Sequence, residues 1–162
     1  MSENIAAEKG DAALASVYVQ KFGHTLIAAG YTVVPNTIVR RHRQLGLDAD
    51  DLSIVMQLFS YWWKPDELPF PSLPELSKGT GLHVRNIQKR LKRMQADNFI
   101  KIKKRKTRHG GWDTNAYDLS GLIKEATKIA VDDVAQKKEA ALAKLGRKTP
   151  PKVKPPLKVV KS

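Results

Sequence analysis

The stretch SLPELSKGTGLHVRNIQKRLKRMQADNFIKI, residues 72–102, leaves this chain few choices. It spells two helices too short to be stable alone, separated by Gly79-Thr80-Gly81. Ser72 can accept from the amide of Glu75, whose carboxylate can reach back, and Pro74 is harmless in a first turn. On the second helix Leu82, Ile87, Leu91 and Met94 give one apolar face at helical spacing. Asn98 tolerates the left-handed conformation that closes a helix. Ser77 is small where the two helices must approach. Both faces need a third element to cover them.

LDADDLSIVMQLFSYWW supplies it. Asp48 can cap the start, and Asp50 and Asp51 sit at the positive end of the helix dipole. Leu52, Val55, Met56, Phe59 and Trp63 form one stripe, which Ile54, Leu58 and Trp62 widen, so the helix is expected to be buried on most sides. Tyr61, Trp62 and Trp63 could stack on single-stranded bases, but their place at the end of this stripe favours the core. Upstream, Leu14, Val17, Tyr18, Phe22 and Leu26 predict one amphipathic helix stopping at Gly30. Pro35 then sets an extended entry, and a short helix from Asn36 to Gln44 ends near Gly46.

After Asn98 the pattern changes period. Ile100 and Ile102 alternate with Lys101 and Lys103 as a half-buried strand does, HGG supplies a turn, and DTNAYDLS returns. Two short helices, a glycine turn and a basic hairpin are the layout of a winged helix-turn-helix. Ser120 to Leu145 reads as a further helix, with Leu122, Ala126, Ile129, Ala130 and Val134 as an uneven stripe. It could dock on the domain or pair with a second copy.

The 162-residue chain has a net charge of +13, a prior for a polyanionic partner. Its charge is concentrated. Arg85, Lys89, Arg90, Lys92, Arg93, Lys101, Lys103, Lys104, Arg105, Lys106 and Arg108 face Asp97 alone, and the Lys/Pro-rich end from Lys137 is basic again. On the second helix His83, Val84, Arg85, Asn86, Gln88, Lys89, Arg90, Lys92 and Arg93 are the candidate DNA contacts. Arg can read guanine, and Gln or Asn can read adenine. On the hairpin Lys101, Lys103, Lys104, Arg105, Lys106, Arg108 and His109 would meet phosphates and fix register. A solvated helix face is the bland alternative, but the acids that would intersperse it are missing.

Residues of about 32 to 123 resemble the helix-turn-helix domains of replication-initiation and regulatory proteins of plasmids, phages and other mobile elements. VPNTI and FPSLPELSKGTGLHVRNIQKRLKRMQADNFIKI carry the resemblance. It implies a DNA-binding winged helix. Three positions depart from the family pattern: His83 stands where a capping Ser is usual, Asn86 where Thr is usual, and Arg90 where a small residue often packs. Arg90 is therefore expected to point towards phosphate.

Other chemistries find little support. There is no cysteine, and His24, His42, His83 and His109 share no helix face as metal ligands. Asp48, Asp50 and Asp51 are better explained as a helix start than as a metal cluster. GTG is not followed by Gly-Lys-Ser/Thr, so it is no phosphate loop. No nucleophile and base assemble, so neither an enzyme nor a cofactor is expected. No segment spells a membrane span or signal peptide, and no small-molecule ligand is evident.

The expected protein is mostly α with a small β-hairpin. An N-terminal helical extension (1–30) precedes a winged helix-turn-helix (31–120), a C-terminal helix (121–145) and a flexible, disordered basic tail (146–162). Its partner is double-stranded DNA, bound as a monomer or homodimer, in a bacterial cytoplasm on nucleoid or plasmid. Transcriptional control of a mobile element is the leading role. Replication initiation or partition at a plasmid or phage origin is the alternative. Charge-driven RNA or architectural binding is a third.

Overall fold

Helix α4 (Ala49–Ser60) is the beam on which the domain is built. In the computed structural model, which describes residues 17–106 and 112–146, its Ile54, Val55, Leu58 and Phe59 are buried together. Asp48 caps it reciprocally with Asp51: the Asp51 amide donates to Asp48 and the Asp48 amide to Asp51. Helix α5 (Leu73–Thr80) starts on the Ser72–Glu75 capping box and contributes Leu76 to the core. Helix α6 (Val84–Ala96) contributes Ile87, Leu91 and Met94. The predicted Ser72–Glu75 box, the predicted Asp48 cap and the inner face of α6 are present as expected, and the reciprocal Asp51 half of the α4 cap is an addition.

The turn between α5 and α6 depends on two residues. Gly81 takes φ 72°, a left-handed conformation that a side chain disfavours. The Ser77 hydroxyl donates to Leu82 O (2.7 Å), tying the first helix to the start of the second. Helix α6 closes where predicted, with Asn98 at φ 58°.

Strands β1 (Lys101–Lys106) and β2 (Trp112–Asp118) then pair antiparallel, Ile102 opposite Tyr117 and Lys104 opposite Asn115, with an irregularity between Lys104 and Lys106. Tyr117 is buried, and its amide donates to Pro69 O (2.9 Å), so the proline-rich loop after α4 lies along the hairpin. Helix α7 (Ser120–Gly146) docks at its start through Leu122 and Ala126. Gly121 permits that docking: a Cβ there would lie 1.9 Å from Asn98 O. Of the expected stripe, Leu122, Ala126 and half-buried Ile129 face the core, while Val134 is exposed.

Three expectations need correction. The N-terminal helix is interrupted: residues 17–22 (α1) are helical, Gly23 takes φ 82°, and α2 (His24–Ala28) follows, with Val17, Phe22 and Leu26 exposed. Trp62 packs on the core, stacked on Phe59 at 6.1 Å, but Trp63 is 79% exposed. The helix ends at Ser60, so the periodicity that assigned Trp63 to the stripe has already stopped. Helix α3 (Asn36–Arg40) is also shorter than expected and gives way to a turn reaching Gly46, at φ 78°. No helix among the described residues is long and apolar enough to cross a membrane.

Candidate nucleic-acid interface

Helix α6 divides its basic residues between two faces. With Ile87, Leu91 and Met94 turned inward, a 3.6-residue period sends Arg85, Lys89 and Lys92 outward and Arg90 and Arg93 to one flank. Arg85, Gln88, Lys89 and Lys92 are exposed, and their side chains have no acidic partner among the described residues. They form an open, positively charged face.

The flank is closed. Arg90 Nη1 donates to both carboxylate oxygens of Asp48 (2.6 Å each) and to Asp51 (3.0 Å), while Nη2 donates to Asp50 (2.5 Å). Arg93 also donates to Asp51, whose side chain is fully buried. The Arg90 guanidinium holds the Asp48 carboxyl well below the usual carboxylate range, and the same bonds push the Arg90 pKa up. The expectation that Arg90 points to phosphate is therefore corrected. The acidic start of α4 is the counter-charge to this flank of α6, besides being a helix start. The sequence carried a signal: three carboxylates within four residues exceed what one helix end needs. Asn86 and Lys89 border the same place, beside Asp48, Arg90 and Arg93, around a cavity of about 390 Å³.

His83 replaces the usual capping Ser in kind. Its Nδ1 accepts from the amide of Arg85 (3.2 Å), leaving the other ring nitrogen outward on an exposed side chain. Val84 is half-buried.

The hairpin is likewise divided. Lys101 is exposed. Lys103 bonds Asp118 (3.1 Å). The Ser120 hydroxyl and amide, with Lys103 adding to them, draw the Asp118 carboxyl down to about 2. Arg105 lies 3.9 Å over the Phe70 ring and reaches Thr114 Oγ1 at 3.5 Å, so part of its charge serves to hold the hairpin to the loop. Lys104 is exposed and engaged in further interaction. Lys106 belongs to β1 opposite Trp112. Arg108 and His109 lie outside the described residues, as do 1–16 and the basic tail from 147. Among the described residues no group of His, Asp and Glu is arranged to hold a metal ion.

This arrangement of capped α5, glycine turn, basic α6 and hairpin has a counterpart among known families. The model of the DnaD N-terminal domain matches residues 34–139, from the entry to α3 into α7. The chain belongs to the DnaD N-terminal domain family. The family is a winged-helix-type domain of DNA replication and regulation, which fits the helix–turn–helix and hairpin described above. Among solved structures, a possible transcriptional regulator from Methanosarcina mazei Go1 is similar at 20% identity, with 67% of this chain and 85% of that chain covered and a TM-score of 0.39. No curated protein matches the chain.

Proposed function

We propose that this DnaD N-terminal domain binds duplex DNA and reads its sequence through the open face of α6, in the transcriptional or replication control of a bacterial mobile element. One observation carries the reading. Of the five Lys/Arg side chains between Arg85 and Arg93, the two on the flank are bound by aspartates, while Arg85, Lys89 and Lys92 are left outward beside Gln88. A solvated helix face would have no reason to neutralise one side and leave the other bare. Arg85 and Gln88, near the helix start, reach base edges in the major groove, and Lys89 and Lys92 meet phosphates. The hairpin lies along the backbone. The protein acts by equilibrium binding in the cytoplasm, with no catalytic step and no cofactor.

Selection of bound duplexes from a random pool, repeated with Arg85→Ala, tests this. The parent should enrich a defined site, and the variant should lose about 1–3 kcal/mol on it while relaxing one base position. Enrichment of no duplex sequence, or better competition by single strands than by duplex, would overturn the reading. Mapping the site onto a replicon then separates promoter from origin, and its symmetry reports whether a homodimer binds.

A further inference from the structure

The run Arg40-Arg41-His42-Arg43 lies outside the helix–turn–helix and its hairpin, on the end of α3 and the turn leading to α4. That turn is fixed in the core at both ends. Ile38, Leu45 and Leu47 are buried, and the amides of Leu45, Gly46 and Leu47 donate to Arg41 O (3.0 Å), Arg43 O (3.0 Å) and His42 O (2.8 Å). His42 is turned back on the chain, Nδ1 2.9 Å from Val39 O. The guanidinium stems thus leave a backbone with little freedom.

Arg41 bonds Asp133 of α7 (2.8 Å). Arg40 and Arg43 are exposed and have no acidic partner among the described residues. Across a groove of about 480 Å³ between α3 and α7, Gln136 and Lys137 face Arg40 and Arg41. The one carboxylate in that lining, Asp133, is the one Arg41 already holds. What remains is a concave surface that sets Arg40, Lys137, Asn36 and Gln136 beside the apolar side chains of Ala130, Val134 and Ala140, with Arg43 on the adjoining turn outside that lining.

We infer that this groove is a second DNA site, gripping the phosphodiester backbone outside the segment that α6 reads. The inference rests on the duplex-binding reading above. Guanidinium forks match phosphate oxygens two at a time, and this patch is short of acids to satisfy them. Position favours DNA over an acidic protein. The turn runs through Leu47 directly into Asp48, which Arg90 of α6 binds, so a duplex held by α6 puts its own flanking phosphates near the patch at high effective concentration. Arginines at a helix end and on the turn after it, beside a shallow groove, contact backbone and read no base.

The test uses the full chain and the selected site in two lengths, one trimmed to the site and one extended by about ten base pairs, roughly one helical turn, on each side. The double variant Arg40→Ala/Arg43→Ala should bind the extended duplex about tenfold more weakly, with a slope of log affinity against log salt smaller by about 1.8. Binding to the trimmed duplex and the selected sequence should not change. Lys137→Ala, on the far wall, should lower the slope by about 0.9, and Arg40→Lys/Arg43→Lys should restore most of it. Equal slopes for parent and double alanine variant on the extended duplex would overturn the inference while leaving the α6 reading intact. Failure of the parent on both lengths would remove both. Loss of polyglutamate binding without loss of DNA binding would assign the groove to an acidic protein and overturn it too.

Discussion

Replacing Arg90 by methionine should destabilise the domain by about 2–3 kcal/mol and leave its salt-dependent attraction to DNA unchanged. Methionine keeps an apolar stem in place of the aliphatic part of arginine, so the perturbation is mainly the lost guanidinium. That group donates four hydrogen bonds, two to Asp48 and one each to Asp50 and Asp51. Without it, three carboxylates share one end of α4, and Asp51 is fully buried. Removing one partner of a buried ion pair costs about 3–5 kcal/mol because the other charge stays behind. The figure here is lower for two reasons. Asp50 is 46% exposed and water screens it, and Asp51 keeps Arg93 and the Asp48 amide.

Acidity supplies an internal control. Arg90 depresses the Asp48 pKa in the folded state, so the stability it confers is present above the unfolded carboxylate value, about 3.9, and is lost as pH falls towards the folded value. The difference between parent and Arg90→Met should therefore be full at neutral pH and shrink below about pH 4. Urea denaturation at several pH values measures it, and salt titration of DNA affinity runs beside it. A stability cost below about 0.5 kcal/mol, together with a salt slope reduced by about 0.9, would show that Arg90 is a phosphate ligand and refute the clamp.

Three further changes probe the frame around the interface. Gly121→Ala should cost at least about 2 kcal/mol in thermal unfolding, because the new Cβ meets Asn98 O at 1.9 Å and the obstacle is backbone rather than a movable side chain. His83→Ala should cost about 1 kcal/mol in urea denaturation by removing the acceptor for the Arg85 amide, whereas His83→Ser should restore it. Asp118, held at about 2 by the Ser120 hydroxyl and amide and by Lys103, contributes stability above the ordinary carboxylate range that disappears as pH falls to about 2. Melting temperature followed across that window should be steeper for the parent than for Asp118→Asn.

Local chemistry made much of this fold legible. The Ser72–Glu75 box, the turn at Gly81, the close at Asn98 and the inner face of Ile87, Leu91 and Met94 each follow from groups a few residues apart. The direction of Arg90 does not. Its partner Asp48 is 42 residues away, and neither residue's neighbours announce the other. Lys103 and Asp118 pose the same problem across the hairpin, since register decides which charge meets which. Trp63 lies outside the core because the helix stops at Ser60, so helical periodicity no longer governs where its side chain points. The cap at His83 was visible as a departure from the family pattern, but only geometry shows an imidazole nitrogen doing the work of a hydroxyl.

The aspartates at the head of α4 also bear on recognition. A helix held only by Ile87, Leu91 and Met94 can roll about its axis, because apolar contacts have no direction. Ion pairs on one flank oppose that roll. Arg90 and Arg93 each reach a carboxylate carried by a second, buried helix, so turning α6 would stretch several directional bonds at once. Fixing the roll fixes where Arg85 and Gln88 point before any DNA arrives, and preorganised donors lose less freedom on binding. On this view the two arginines bound by aspartates contribute to specificity rather than to attraction. Charge-preserving Arg93→Lys, which keeps the ammonium but loses the planar fork, should leave the salt slope unchanged while weakening discrimination between the selected site and its single-base variants. If discrimination is unaffected and only stability falls, the clamp holds the fold together and does not aim the reader.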